Sequence, residues 1–363
     1  MPDLAANEKA APEPLSSQGL RASFTPEQDK AYDEFLAQVK KDGLLEDPLG
    51  LEDHECRDGI HDEATLFRFF TARGCDAAKA HALFKEAIQA RKANEMAEFY
   101  KNLDIELHQE TRLLYPYWIG RRDKRGIPIY IIDISLLNAK TVAAHKKTSN
   151  TMSDPQKTPD SPAMAPGHVR RSYAMHDHLT RFVMPLCSAA KDRPNPEIPI
   201  TKQFLIADLN GLGISSAWKL RDWAQDMGQL LAGNYPEVLD QAFIVGAPSY
   251  FGVIWSWVKL LLDPSTASKV RVLAPNEILP TLEEFIDIEN IPEKYGGKLP
   301  TTAGMMPTLD KEIIDLLGWA PESEKSLPAG PLHWIKGANG SKTAVAVGMV
   351  KGEKRCSEFA TLQ

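Results

Sequence analysis

The chain has 363 residues, 43% hydrophobic and 25% charged, the balance of a soluble globular protein with one large domain or two smaller ones. Its 42 basic and 49 acidic residues give a formal charge of -7, which argues against a general nucleic-acid binder. Four cysteines without a CxxC pair read as reduced thiols of a cytoplasmic protein, and no apolar stretch reaches the ~18 residues a spanning helix needs.

Residues 1–24, rich in Pro, Ala, Glu and Ser, are too polar to build a core and are expected to be disordered. A helical part follows over 25–105. Pro26–Lys41 carries Tyr32, Phe35, Leu36 and Val39 near helical spacing. A second helix is signalled from Asp62 through Phe70 and stopped by Gly74; Asp76 caps a third over 77–99. From IPIYIIDI (127–134) the texture changes. QFLIADL (203–209), AFIVGAP (242–248) and KVRVLA (269–274) are near-continuous apolar runs, each followed by a helical pattern, as in a largely parallel sheet. Those helices are expected at 214–232 and 250–262, with a short one after Pro275; another spans 169–190. The segment 138–168 lacks periodicity and reads as a long insertion, and 301–363 as an irregular tail with weak alternation at 343–350.

Catalytic and cofactor motifs are thin. Gly211-Leu212-Gly213 stands where a dinucleotide fingerprint would, but Ser216 takes the third glycine's place, and Glu237 follows Pro236 in a turn. His54, Cys56 and His61 lack a fourth ligand at sensible spacing, so no metal is expected. No GxSxG elbow is present. No cofactor is implied and no enzyme is expected.

Three features carry more. The 250–262 helix is apolar nearly all round, with Lys259 its one charge, and suits either full burial or a position between an internal cavity and a membrane surface. After it, Asp263-Pro264 opens a helical turn that puts Thr266 and Lys269, three apart, on one face. Arg91 continues the apolar stripe of Ala80, Phe84, Ala87 and Ile88, so its guanidinium needs an anionic partner, either a structural carboxylate or a ligand.

Several stretches in order give these features a common meaning: DEATLFRFFTARGCDAAKA (62–80), RRDKRGIPIY (121–130), IADLNGLGISSA (206–217), NYPEVL (234–239), VGAPSYFG (245–252), LLDPSTASKV (261–270) and IPEKYGGKLP (291–300). Over 62–300 the chain resembles the CRAL-TRIO lipid-binding family, in particular the fungal phosphatidylinositol transfer proteins. The resemblance implies an α/β protein in which an all-helical N-terminal subdomain precedes a CRAL-TRIO domain (106–300), whose mostly parallel sheet floors an apolar pocket. The helix carrying Phe251, Val253, Ile254, Trp255, Trp257, Val258 and Leu261 would be its gate.

Carried over position by position, the resemblance puts the lipid headgroup at Arg91, Lys92, Glu237, Thr266 and Lys269. Pocket candidates are Tyr130, Gln203, Leu205 and Val238. A serine, a threonine and an arginine that serve choline lipids in the family are here Gln203, Leu205 and Val238. Ala90 replaces a tryptophan and Ile127 another arginine, so inositol lipid is favoured over phosphatidylcholine. The implied function is phosphatidylinositol binding and transfer by a monomer in transient contact with Golgi, endosomal or other intracellular membranes, with lipid kinases as further partners. The alternatives are a carrier of another apolar ligand, such as a sterol-like lipid or haem, and a nucleotide-dependent α/β enzyme.

Overall fold

The computed structural model describes residues 17–46, 51–149, 165–261, 264–337 and 340–362. Six helices open the chain: α1 (Ser17–Arg21), α2 (Pro26–Lys41), α3 (Glu63–Thr71), α4 (Ala77–Ala93), α5 (Met96–Asn102) and α6 (Ile105–Arg112). Local chemistry sets their starts. Thr25 and Gln28 form a reciprocal capping box before α2, and the Asp76 and Asp104 carboxylates cap α4 and α6. The apolar stripes of α2, α3 and α4 close on a core of Tyr32, Phe35, Phe69, Phe70 and Phe84.

The central sheet follows. Strands β1 (Tyr117–Arg122) and β2 (Pro128–Asp133) form a hairpin whose turn is held by Asp123, which accepts from the Arg125 and Ile127 amides at 2.8 and 2.9 Å. Gly126, at φ 86°, supplies the left-handed residue this turn requires. Next come α7 (Ala139–Ser149), α8 (Gly167–Asp177), a π-helical segment His178–Val183 and α9 (Met184–Ala189). Strand β3 (Gln203–Asp208) leads to α10 (Ile214–Lys219) and α11 (Arg221–Asn234). Strand β4 (Leu239–Val245) leads to α12 (Phe251–Val258), a 3-10 turn Lys259–Leu261 and α13 (Pro264–Ser268). Then follow β5 (Val270–Val272) and α14 (Ile278–Phe285). The strand order is β1-β2-β3-β4-β5, parallel except for β1.

Alternation along the strands gives the sheet two buried faces. Ile129, Ile131, Phe204, Ile206, Phe243 and Val245 pack against Leu282, Ile286 and Tyr295. Trp118, Tyr130 and Leu205 point the other way, into the core built on α8–α9. No described residue of the 23-residue stretch from α8 through α9 is exposed, and it carries Arg170, Arg171, Asp177 and Arg181. Asp177 is its pivot. It receives both Arg91 guanidinium arms at 2.9 and 2.6 Å, the Tyr235 hydroxyl at 2.6 Å, and the Tyr100 hydroxyl.

Several boundaries need correcting. Residues 17–21 are helical, not disordered, because Arg21 pairs with Asp29 and Asp33; residues 1–16 lie outside the described residues. The insertion expected over 138–168 begins with α7, anchored by buried Val142 and His145, while 150–164 lies outside the described residues. The third helix breaks at Glu95, which is left-handed (φ 48°), and the 214–232 helix breaks near Leu220. The tail expected to be irregular over 301–363 is largely folded. Helix α15 (Lys311–Leu316) precedes β6 (Leu317–Trp319), β7 (Leu332–Lys336), β8 (Lys342–Val350) and β9 (Glu353–Leu362), an antiparallel sheet in the order β6-β9-β8-β7. Its strands escape a local reading because β8 is buried on both faces from Thr343 to Gly348, and so lacks strong alternation. The sheet docks through Trp334, stacked on Phe182 at 5.1 Å and donating to its carbonyl at 3.2 Å.

Burial by itself would raise the Asp177 carboxyl, but the Arg91 charge and hydrogen bonds, Arg181 and the Tyr100 hydroxyl hold it at about 2. A depressed carboxyl stabilises the fold above its unfolded value of ~3.9 and loses that contribution as pH falls toward its folded value. Acid should therefore withdraw this stabilisation between about pH 4 and pH 2. Asp177→Asn should cost about 3–5 kcal/mol in urea unfolding at neutral pH, because it leaves the Arg91 charge buried without its counter-ion. Unfolding as stable as the parent would show that the pair is dispensable.

Candidate functional site

Of the residues expected to work together, Glu237, Lys269 and Arg91 approach one turn from three elements. Helix α11 ends at Asn234, and the chain turns through Tyr235, Pro236 and Glu237 into β4. Glu237 sits at φ 55°, a left-handed conformation unusual for a residue with a long side chain. From this turn its carboxylate meets the Lys269 ammonium at 2.7 Å, both side chains being mostly buried. Lys269 stands just past α13, where its amide donates to the Thr266 carbonyl at 3.1 Å. Helix α13 starts at Pro264 as the sequence indicates; Leu262 and Asp263 lie outside the described residues.

Arg91 approaches the same turn from α4. Its guanidinium lies 3.4 Å from the Tyr235 hydroxyl, two residues before Glu237, but its bidentate partner is Asp177. Desolvation would lower Arg91, yet the Asp177 charge holds it well above its ordinary value. The structural carboxylate is thus the partner that the apolar stripe demanded. Lys92, next along α4, is exposed. The structure brings Glu237 and Lys269 into contact, links Arg91 to their turn through Tyr235, and leaves Lys92 on the outer face of α4.

Of the pocket candidates, Tyr130 and Val238 are buried in the core built on α8–α9, and Leu205 packs partly buried against it. Gln203 is buried, its backbone N–H donating to the Val238 carbonyl at 2.8 Å. The Tyr130 hydroxyl is buried without a hydrogen-bond partner. Beside it, Trp118, Met175, His108, His178 and Arg112 line a cavity of about 30 Å³. Burial holds His178 at about 4 and His108 well below its ordinary value, with Arg112 adding to both shifts, so the two imidazoles are neutral at physiological pH. A space of that size holds about one water molecule. An apolar guest on this floor must displace packed side chains.

Helix α12 lies at one end of this face. Phe251 and Ile254 are buried against Leu212, Ala217 and Ile244, at the end of the same sheet face. Trp255, Trp257 and Val258 pack partly buried around them, and the Tyr250 hydroxyl donates to the Leu212 carbonyl. Val253 is 61% exposed, and Leu260, in the 3-10 turn that Leu261 closes, is 78% exposed. The segment is therefore two-sided, and full burial of the helix is ruled out. Among the described residues, no helix is long and apolar enough to cross a membrane.

Sequence reasoning missed Asp177, Tyr100 and Tyr235. Arg91 signalled that an anion was needed, but its partner lies 86 positions away. His108 gave no local signal, whereas His176 and His178, two apart on a helix, read as solvated or core histidines, and both are largely buried.

Comparison with known proteins bears on these motifs. A family model described as the CRAL/TRIO domain matches residues 114–297, which includes β1 to β5, α12, α13 and the Glu237 turn. The SEC14 cytosolic factor of Eremothecium gossypii is 24% identical over 280 residues, covering 77% of this chain and 79% of that protein. The CRAL-TRIO domain-containing protein YKL091C of Saccharomyces cerevisiae is 27% identical over 243 residues, covering 65% of this chain and 71% of that protein. The phosphatidylinositol/phosphatidylcholine transfer protein SFH9 of Arabidopsis thaliana is 29% identical over 276 residues, covering 71% of this chain but 42% of its own length.

If α12 is a movable cover, its amides should exchange faster than those of β2 and β3, and faster still with vesicles present. Hydrogen exchange as slow as in the core strands under both conditions would count against it.

Proposed function

The chain belongs to the CRAL/TRIO domain family, and on that premise we propose that it binds phosphatidylinositol and exchanges it between membranes. The observation that carries this reading is the Glu237–Lys269 contact, which joins the turn before β4 to the residue just past α13. In this reading its lysine meets the headgroup of a lipid lying under α12. Names of relatives that include phosphatidylinositol transfer support the choice of ligand.

The physical need for such a carrier is large. A diacyl lipid has roughly thirty CH₂ groups, and at ~0.8 kcal/mol each their passage through water would cost over ~20 kcal/mol. An apolar sleeve that opens at a membrane removes that barrier without covalent chemistry. Lys269, with the Thr266 hydroxyl one helical turn away, takes the phosphate; Glu237 holds the ammonium in place and offers an acceptor to inositol hydroxyls. Arg91, committed to Asp177, sets the position of the turn through Tyr235. The partners in this reading are phosphatidylinositol, a membrane surface touched transiently, and lipid kinases that receive presented lipid. The protein acts as a cytoplasmic monomer that visits Golgi, endosomal or other intracellular membranes.

Transfer of labelled phosphatidylinositol between vesicles tests the proposal; a rate no better than buffer would refute it. Lys269→Ala should lower transfer about tenfold to a hundredfold, the loss of a charge-assisted contact of ~1.5–3 kcal/mol. Thr266→Asp should abolish it by repelling the phosphate. Normal transfer by both folded variants would place the headgroup elsewhere.

The choice between lipids follows from the floor. Leu205 and Val238 offer no side-chain hydrogen-bond donor, and Gln203 carries its amide on a longer arm than a serine would. A buried choline-lipid phosphate at this strand would lack donors, a penalty of several kcal/mol. Phosphatidylcholine transfer should therefore fall about a hundredfold or more below phosphatidylinositol transfer in the same assay. Comparable rates would show that β3 does not set the choice.

A further inference from the structure

Three of the most exposed large apolar side chains of the described residues sit together. Val253 and Leu260 belong to the cover segment, and Trp218, 62% exposed, projects from α10. Trp257 joins them: it lies four residues after Val253 and three before Leu260, and meets the Trp218 ring edge-on with centroids 6.2 Å apart. The patch thus spans two helices, with the two tryptophans as its seam.

Cations flank it. Arg221 lies over the Trp218 ring at 5.6 Å, and Lys259 is exposed beside Leu260. Segments 213–221 and 250–261 contain no acidic residue, although the whole chain carries a formal charge of -7. Exposed indole, aliphatic tips and flanking cations make a surface suited to an anionic lipid bilayer, where indole settles at the headgroup level and cations meet lipid phosphates.

We propose that α10 is a second bilayer-docking element, with Trp218 as its anchor and Arg221 as its phosphate contact. It rests on the reading of α12 as a membrane-facing cover and adds a consequence. Trp218 is packed against Trp257, and the Leu212 carbonyl before α10 receives the Tyr250 hydroxyl. Drawing Trp218 into the headgroup layer therefore removes part of the support that keeps α12 closed. The bilayer would act on the cover through α10.

The test is sedimentation of the full chain with vesicles of 70% phosphatidylcholine and 30% phosphatidylserine, alongside phosphatidylinositol transfer. Trp218→Ala should weaken vesicle binding about tenfold, as expected for removing one buried aromatic anchor. Trp218→Phe should retain most of it, and Arg221→Glu should weaken binding to anionic vesicles but not to neutral ones. Trp218 is mostly exposed, so the variants should keep the parent's circular dichroism and melting temperature. Parent-like vesicle binding by Trp218→Ala, while Val253→Asp binds poorly, would overturn the proposal, as would a parent chain that does not bind these vesicles. A change of oligomeric state in sedimentation velocity without a change in vesicle binding would overturn it too, assigning the patch to a second copy of the chain. Vesicle binding that depends on Trp218 in a protein without transfer activity would uphold α10 as an anchor and reject the transfer reading.

Discussion

One buried carboxylate orders the architecture around the site. Asp177 is set in a helix with no exposed residue, where an unpaired charge would be too costly to keep. Four donor groups meet it: two arms of Arg91 from α4, the Tyr100 hydroxyl from α5 and the Tyr235 hydroxyl from the turn before β4. Each partner comes from a different element, so satisfying the charge fixes the helical subdomain, the central helix and the start of β4 relative to one another. Glu237 inherits its place from this, two residues beyond Tyr235, and with it the contact to Lys269.

The central helix is held on its other sides by polar contacts as well. Arg171 donates to the Thr111 hydroxyl and the Leu107 carbonyl of α6, and Arg170 and Arg181 lie over the Phe99 and Tyr100 rings. Trp334 of the C-terminal sheet then covers Phe182. Several buried hydrogen-bonded networks that must all be satisfied at once specify one arrangement of these layers. Apolar packing dominates instead at the end of the sheet face under α12. In the proposed function, that contrast between a polar-locked centre and an apolar, part-exposed cover would let a guest enter without unfolding the frame.

The cover also explains why an unusually apolar segment is tolerated in an acidic chain. Phe251 and Ile254 satisfy the sheet, while Val253 and Leu260 remain outside. An apolar surface of this kind is normally avoided unless a partner meets it. Its flanking cations and its seam with Trp218 give the two helices one shared surface.

The sequence by itself determined the elements whose burial pattern is local. The stripe of α4, the strands from 128 to 133 and from 203 to 208, the helix start at Pro264 and the apolar character of α12 could all be read from spacing and composition, because side-chain period follows backbone geometry. Arg91 even announced that an anion had to meet it. Only the tertiary structure decided that this anion is Asp177, 86 residues on, because a lone acid within a buried helix looks like any other acid in sequence. It alone decided that Glu237 and Lys269 touch, and that Trp218 joins Trp257. The C-terminal sheet was decided there too: β8, built mainly of valine and alanine, gains its order from ladder hydrogen bonds to β7 and β9 and from burial on both faces. Such long-range pairings have no periodic signature, since they arise from which surfaces remain to be covered once the local elements have formed.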